Sequence, residues 1–315
     1  MPSAPPFTIL VHGGSGRLYP EPMPAAKAAA YSAKLTEAAQ AGYALLEQGG
    51  SSVAAVEASL RILEDSPLFN AGRGAVFSHD EVNELDASVM DGATLRAGAV
   101  AGVRTVRNPI SAARAVMEQS AHVLLTGSGA DAFAAQAGLE IVDPSWFRIE
   151  ERWEQIQRVK QAERQRAAEQ PGPPPAKYGT VGAVALDKAG NLAAGTSTGG
   201  MLNKKFGRVG DSPLIGAGTY ANHCCAVSGT GHGEFFIRHA VAHDIAALVE
   251  YKGLPVAEAA ALVMQKVAAA GGVGGVIALD AQGNIAMPHS TEGLFWAYRK
   301  ADGQTQVNVC HMIIE

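Results

Sequence analysis

Long alanine-rich stretches with helical spacing alternate along the chain with short runs that are almost entirely apolar. Apolar residues recurring every three or four positions indicate helices with one buried face, and short apolar runs bounded by glycine or proline indicate buried strands. Helices are predicted over Ala25–Glu47, Ser52–Asp65, Pro109–Gln119, Pro144–Gln170, Gly233–Tyr251 and Val256–Ala269. Strands are predicted over Phe7–Val11, Ala75–Phe77, Ala87–Asp91, Ala99–Arg104, Thr180–Leu186, Asn191–Thr196 and, as a pair, within Gly275–Ala286. The glycines of His12–Gly16 are predicted to form a turn after the first strand.

Two of these segments share one hairpin signature. The pattern Ala-Leu-Asp-x-x-Gly-Asn-apolar-Ala occurs at 185–193 and again at 278–286. Two copies are too few for a solenoid, so we interpret them as two similar hairpins in one sheet system. Because the strands are nearly continuous apolar runs, both faces of the sheets are expected to be covered. Two central sheets flanked by helix layers, an α+β arrangement, satisfy this pattern.

One stretch does not fit a packed core. From about 158 to 179 the chain is first highly charged and then rich in proline, ending in Pro-Gly-Pro-Pro-Pro-Ala-Lys-Tyr-Gly. Such a composition buries little apolar surface. We therefore interpret 158–179 as a flexible linker that ends at Thr180.

Composition narrows the function classes. The 315 residues are 47% hydrophobic and 17% charged, with a net charge of −5, which gives no support to a nucleic-acid or membrane partner. No C-x-x-C spacing joins the three cysteines, and His239 and His243 lack a third ligand, so no cofactor is expected for catalysis. The first residues have no basic region before an apolar run, so we expect a cytoplasmic protein.

Thr180 is the most informative residue for chemistry. A threonine hydroxyl is a weak nucleophile unless a base activates it, and the α-amine of an N-terminal threonine is such a base. If the Gly179–Thr180 bond is cut, Thr180 carries its own base. The alternative is a loop that simply enters a strand, where threonine is common.

A rival nucleophile is Ser197, which lies in the G-x-S-x-G sequence Gly195–Gly199. In α/β-hydrolases this motif stands between a strand and a helix, with an oxyanion loop that His12-Gly-Gly resembles and a histidine such as His289. The segment 199–213 contains four glycines and a proline and has no helical period. This esterase is therefore the weakest candidate.

Three other segments carry polar groups suited to a substrate. Arg208 and Asp211 could bind the carboxylate and ammonium of an amino acid, or form a local surface ion pair. Thr230 and Gly231 could form an oxyanion hole, or Thr230 could cap a helix. Asn70 could line the site, or only shape a turn.

Together, several segments closely resemble the isoaspartyl peptidase/L-asparaginase family, the plant-type asparaginases of the N-terminal-nucleophile hydrolases. The matching segments follow the family's order along nearly the whole chain: His12–Gly16, Phe69–Gly74, Gly179–Gly182, Thr196–Met201, Gly207–Pro213, Gly216–Asn222 and Gly229–Glu234. The resemblance implies a four-layer αββα sandwich. It also implies one domain, 1–315, that cuts itself into 1–179 and 180–315.

The resemblance also assigns roles. It implies that Thr180 is the nucleophile and its freed amine the base, with Thr198 supporting the hydroxyl. Arg208 would hold the substrate α-carboxylate and Asp211 its α-ammonium. The remaining implied site residues are Thr230 and Gly231 as oxyanion hole and Asn70 beside Thr180. A structural sodium ion is implied at the main-chain carbonyls of Leu63, Glu64, Ser66, Phe69, Ala71 and Arg73, which suits a hard cation.

The chain departs from the family pattern at Tyr178, Leu202 and Phe206, which affects the expected cleavage rate and side-pocket preference. The resulting hypothesis is an amidohydrolase for L-asparagine and β-aspartyl dipeptides. Small-molecule substrates and a dimer of cleaved heterodimers are the expected partners. The alternatives are an uncleaved amino-acid-binding module without turnover and, last, the Ser197 esterase.

Overall fold

The computed structural model describes residues 7–16, 23–166 and 179–309. The helices are α1 Ala25–Glu47, α2 Ser52–Glu64, α3 Pro109–Gln119, α4 Gly127–Gln136, α5 Glu150–Arg166, α6 Gly233–His239, α7 Val241–Lys252 and α8 Val256–Ala269. The strands are β1 Thr8–Ser15, β2 Leu85–Asp91, β3 Ala97–Val103, β4 Leu124–Thr126, β5 Val181–Leu186, β6 Leu192–Thr198, β7 Thr219–Ala221, β8 Cys225–Gly231, β9 Gly274–Asp280, β10 Ile285–Ala286, β11 Leu294–Lys300 and β12 Thr305–Asn308. Helices and sheets are thus mixed, as the α+β prediction requires.

An eight-stranded sheet forms the larger part of the structure. Its strand order is β12-β11-β1-β5-β6-β2-β3-β4, and only the β3–β4 pair is parallel. Strand β1 lies between β11 and β5, while β5 pairs with β1 on one side and β6 on the other. Because β5 is central, Thr180, the residue before it, enters the sheet between the neighbouring strands β1 and β6.

A second sheet, with the order β10-β9-β8-β7, packs against the first. Apolar side chains form three clusters that follow this arrangement. Ile9 and Val11 pack with α1, α2 and α3 on one face of the large sheet, whereas Leu10, between them in sequence, packs with Ile277 between the sheets. The third cluster joins the small sheet to α7 and α8. Alternate residues of one strand therefore serve two separate cores.

The two hairpins with the shared signature form as predicted, but in different sheets. β5–β6 belongs to the large sheet and β9–β10 to the small one. Their turns are equivalent, because the Asp187 carboxylate accepts hydrogen bonds from the backbone of Ala189 and Asn191, and Asp280 does the same for Gln282 and Asn284. The sequence signature thus specifies the turn and not the sheet.

Three local predictions were wrong. Residues 12–15 extend β1 with an irregular register instead of turning. Residues 75–77 form no strand, because side chains of Asn70 and Asn83 take their backbone hydrogen bonds. The helix predicted over 233–251 is broken at Ala240, whose φ is 46°. The first turn of α7 instead donates to the carbonyls of Gly216 and Ala217.

The predicted linker, 158–179, overlaps the helix predicted over 144–170, and the structure describes only 158–166 and Gly179 of it. Residues 158–166 belong to α5, which is anchored on the loop before β2: Lys160 and Gln157 both bind the Glu81 carboxylate. The rest, 167–178, lies outside the described residues, and so does the unusual Tyr178. Within the described ranges, no helix is long and apolar enough to cross a membrane.

Candidate functional site

Thr180 directly precedes the central strand β5, with Gly179 before it in the continuous chain. The carbonyl oxygen of Gly179 lies near three donors. The Thr180 hydroxyl is 2.7 Å from it, the Thr198 hydroxyl 3.1 Å and the Asn70 side-chain amide 2.9 Å. The two hydroxyls are 3.1 Å from each other. Such a concentration of donors on one peptide carbonyl is what a developing negative charge on that oxygen requires.

Neighbouring residues of a strand point to opposite faces of the sheet. Thr198 therefore lies among the donors around the Gly179 carbonyl, and Ser197 does not. Thr198 faces Thr180, and its oxygen also accepts from the Gly200 backbone at 3.0 Å. Ser197 points to the opposite face, is fully buried and donates to Glu64 at 2.6 Å. A turn, not a helix, follows β6. The structure therefore gives Ser197 neither the exposure nor the context of an esterase nucleophile.

Asn70 is fixed on three sides. Its amide nitrogen donates to the carbonyls of Gly179 and Gly200, at 2.9 Å and 2.7 Å, and its oxygen accepts from Val76. A side chain at Gly199 would lie only 2.6 Å from this oxygen. Asn70 thus joins the loop that follows α2 to both ends of the β5–β6 hairpin, which is more than the turn-forming role considered from sequence.

A glycine of β1 allows close approach to the same peptide. Gly14 has a φ of +106°, and a side chain there would lie 3.2 Å from the Thr180 nitrogen and 3.3 Å from the Gly179 α-carbon. Both the backbone angle and the spacing favour glycine. The irregular end of β1 therefore covers the Gly179–Thr180 bond.

A small pocket lies in front of Thr180. Most sequence-predicted site residues line it; the full set is Gly179, Thr180, Thr198, Gly200, Met201, Arg208, Gly210, Asp211, Ser212 and Gly231.

Asp211 is the buried acid of the pocket. One oxygen, Oδ2, has no hydrogen-bond partner in the structure. Burial raises the pKa of Asp211 to about 7, against the opposing effects of a backbone hydrogen bond and the Arg208 charge. A buried carboxylate without a partner is costly, so this oxygen is ready to accept a cationic donor from a ligand.

Arg208 lines the pocket but does not pair with Asp211. Its Nε and Nη2 donate to the two oxygens of Glu234, each at 2.9 Å. Burial works against ionisation of Glu234, but the hydrogen bonds and charge of Arg208 prevail and lower its pKa. The local Arg–Asp ion pair considered from sequence is therefore wrong, and Glu234 is a site neighbour that sequence reasoning missed.

Thr230 and Gly231 lie at the end of β8, not in a glycine turn that caps a helix. Thr230 is buried, and its hydroxyl accepts from the Ser15 backbone at 3.3 Å. Gly231 lines the pocket with a φ of +147°, and a side chain there would lie 2.5 Å from Gly274. The two residues are adjacent to the pocket, and the oxyanion-hole role stays a prediction.

The loop after α2 carries the carbonyls predicted to bind sodium. Side chains at Gly72 and Gly74 would lie 2.4 Å from the Glu64 carbonyl oxygen and 1.9 Å from that of Phe69. The two glycines thus leave space beside backbone oxygens, which are the ligands that a hard cation prefers. Among the described residues, no cluster of three or more His, Cys, Asp or Glu side chains could hold a metal.

Comparisons with known proteins identify the relatives of this chain. The sequence model of a family described as asparaginase matches residues 5–309. An isoaspartyl peptidase of Escherichia coli (strain K12) is 52% identical over 297 residues, which cover 92% of each chain. An isoaspartyl peptidase/L-asparaginase of Xenopus laevis is 41% identical over 307 residues, covering 96% of this chain and 95% of that protein. A plant-type L-asparaginase of Pyrococcus abyssi is 40% identical over 299 residues, covering 93% and 96%.

Proposed function

Because this chain belongs to the asparaginase family, we propose that it is an amidohydrolase that cleaves L-asparagine and β-aspartyl dipeptides and releases L-aspartate. We further propose that it first cuts its own chain before Thr180. The observation that supports both steps is the placement of the Thr180 and Thr198 hydroxyls and the Asn70 amide within 3.1 Å of the Gly179 carbonyl oxygen.

Self-cleavage uses the groups around that carbonyl. The Thr180 oxygen attacks the carbonyl carbon of Gly179, and negative charge develops on the carbonyl oxygen, where Thr198 and Asn70 donate. The carbon–nitrogen bond then breaks, and the hydroxyl proton passes to the Thr180 nitrogen. Water hydrolyses the resulting ester, leaving a carboxylate on Gly179 and a free amine and hydroxyl on Thr180.

Turnover repeats this chemistry on a substrate. The Thr180 amine takes the hydroxyl proton, and the oxygen attacks the side-chain carbonyl of the aspartyl group. The carbon–nitrogen bond then breaks as the amine passes that proton to the leaving nitrogen, which departs as ammonia or an amino acid. Water then frees aspartate. The buried Asp211 would bind the substrate α-ammonium, Arg208 its α-carboxylate, and Thr230 with Gly231 would stabilise the charged oxygen.

Intact-mass spectrometry and kinetics test this proposal together. The purified wild type is expected to appear as two fragments that meet at Gly179–Thr180 and to hydrolyse asparagine and β-Asp-Leu. Thr180→Ala should remain one inactive chain, while Thr180→Ser, which keeps a hydroxyl, should still be cut. A single uncut wild-type chain that hydrolyses β-Asp-Leu would overturn the mechanism. An uncut chain that binds aspartate without turnover would favour a binding module.

Four further features belong to the proposal. The three apolar clusters support a four-layer αββα sandwich built as one domain. A dimer of cleaved heterodimers and a cytoplasmic location are proposed from the family resemblance and the sequence. Sodium would be held by main-chain carbonyls of Leu63, Glu64, Ser66, Phe69, Ala71 and Arg73. Replacing sodium by choline in the buffer should then lower the midpoint of thermal unfolding, and an unchanged midpoint would remove the ion from the proposal.

A further inference from the structure

A line of buried polar side chains crosses the space between the two sheets beneath the pocket. Its members are all fully buried: His12 on β1, Ser228 on β8, Thr196 on β6, Thr219 on β7 and Ser88 on β2. Successive members are joined by hydrogen bonds of 3.1, 2.6, 2.6 and 2.8 Å. Polar groups are costly in such a place unless every one is paired.

The hydrogen bonds have a defined direction. The Gly14 backbone donates to Nδ1 of His12, so the proton of the neutral ring is on Nε2 and points to Ser228. Ser228 can then donate to Thr196, which donates to the carbonyl of Gly218 at 3.1 Å. Thr219 also donates to Thr196, and the single Ser88 proton at the far end is shared between Thr219, at 2.8 Å, and the Ser212 carbonyl, at 2.6 Å. Each hydroxyl proton thus has an acceptor, and the line ends on backbone oxygens.

The two ends lie at the two halves of the proposed site. Burial lowers the pKa of His12 to about 3, and the Thr180 backbone beside the ring opposes this shift. A side chain at Gly182, two residues further along β5, would lie 2.0 Å from the Ser228 oxygen and 2.2 Å from His12 Nε2. At the other end, Ser212 follows Asp211 in sequence, and the Gly218 backbone donates to the Asp211 carbonyl at 3.1 Å.

We propose that His12, Ser228, Thr196, Thr219 and Ser88 act as one positioning network that sets the Asp211 loop relative to Thr180, with the His12 ring neutral and protonated on Nε2. None of the five is a catalytic residue, because each acts through another group. The proposal rests on the proposed function, since it presumes that Thr180 attacks a substrate bound at Asp211. If the substrate carbonyl were misplaced relative to Thr180, attack by Thr180 would slow more than substrate binding would weaken.

A matched pair of substitutions tests the network. Thr196→Val removes the hydroxyl at nearly constant size, and Thr196→Ser keeps it. For asparagine hydrolysis per cleaved molecule, kcat should fall about tenfold in Thr196→Val, with a smaller change in KM, and stay within about twofold in Thr196→Ser. An uncut Thr196→Val chain beside a cut Thr196→Ser chain would also support the proposal. Equal kcat in wild type and both variants would overturn it.

A control and a second measurement separate positioning from stability. Ser59→Ala also removes one fully buried hydroxyl, which donates to Ala38 between α1 and α2, so it should leave kcat unchanged. Nitrogen-15 NMR of labelled histidines, with His12→Gln to identify the signal, should show His12 protonated on Nε2 at pH 7 and a changed signal in Ser228→Ala. A ring protonated on Nδ1, or charged, would overturn the proposal. The NMR measurement does not depend on activity. It therefore tests the network even if the wild type fails to hydrolyse β-aspartyl bonds.

Discussion

The two faces of β6 carry the same pair of functional groups, a hydroxyl beside a buried acid. On the pocket face, Thr198 and Asp211 lie near Thr180, whereas on the helix face Ser197 donates to Glu64. Both acids are buried, each has one oxygen without a partner, and burial raises the pKa of Asp211 to about 7 and of Glu64 to about 8.

The two acids differ in what surrounds them. Glu64 Oε1 accepts from Ser197 and from the Ile110 backbone at the start of α3, beneath packed helices. Asp211 lies on the wall of a pocket. A raised pKa therefore reports burial on both faces, and only access for a ligand makes one of them a candidate site.

The largest difference between the two faces is expected in self-cleavage. Thr198→Val removes a donor to the Gly179 carbonyl and should slow the cut by about 100-fold, the typical effect of losing one oxyanion donor. Ser197→Ala on the other face should be cut at the wild-type rate. The fraction of intact chain over time, measured by mass spectrometry, checks both, and cleavage of Thr198→Val at the wild-type rate would contradict the assignment.

The next difference concerns substrate. Asp211→Asn keeps the size of the side chain but removes the charge that faces the ammonium, so kcat/KM for asparagine should fall about 100-fold. Glu64→Gln should leave kcat/KM within about twofold of wild type. Steady-state kinetics on cleaved protein measure both values, and equal losses would mean that the two acids act only through stability.

The pH profile sharpens the role of Asp211. Because its pKa is raised to about 7, the carboxylate is lost as pH falls, and this group alone should lower kcat/KM about tenfold between pH 8 and pH 6. The Thr180 amine, with an ordinary pKa of about 7.7–8.0, adds a second loss over the same range. A plot of log kcat/KM against pH should then have an acid slope of about 2 in wild type and about 1 in Asp211→Asn. Identical slopes would remove Asp211 from substrate binding.

The last difference concerns the free energy of unfolding. The folded pKa of Glu64 is about 8, above its ordinary 4.5, so between these values the folded chain holds a proton that the unfolded chain has lost. This contribution is fully present below pH 4.5 and is lost as pH rises toward 8. Relative to Glu64→Gln, wild type should lose at most about 1.4 kcal/mol of unfolding free energy per pH unit in that window. Denaturant unfolding at pH 5, 6, 7 and 8 measures the trend, and a constant difference would contradict it.

Sequence patterns predicted the elements whose local and tertiary signals agree. The long helix α1 and the hairpin β5–β6 form with bounds close to those expected. The patterns failed where another element supplied the hydrogen bonds. Residues 75–77 lost their strand to asparagine side chains, and Ala240 broke a helix that apolar spacing alone would continue.

In the site, too, the sequence indicates the residues of local motifs but not the partners that only the fold brings together. Thr180, Thr198 and Asp211, which the sequence proposed as site residues, line one pocket. The partner of Arg208 could not be predicted, because Glu234 lies 26 residues away and reaches it only through the fold. Ser88, Thr196, Thr219 and Ser228 were also missed as a group, since hydroxyls dispersed over four strands leave no periodic signal.

The strand order has a consequence for the cut molecule. The first fragment would supply β1, β2, β3 and β4 to the large sheet, and the second β5, β6, β11 and β12. Strand β1 would then be inserted between two strands of the other fragment. Refolding after denaturation would become a meeting of two chains, dependent on concentration and in competition with aggregation, whereas the uncut precursor folds as one. The persistence of the mature protein would then be governed by how slowly it unfolds, because a fragment that escapes has lost the covalent connection that brought its partner strand into place.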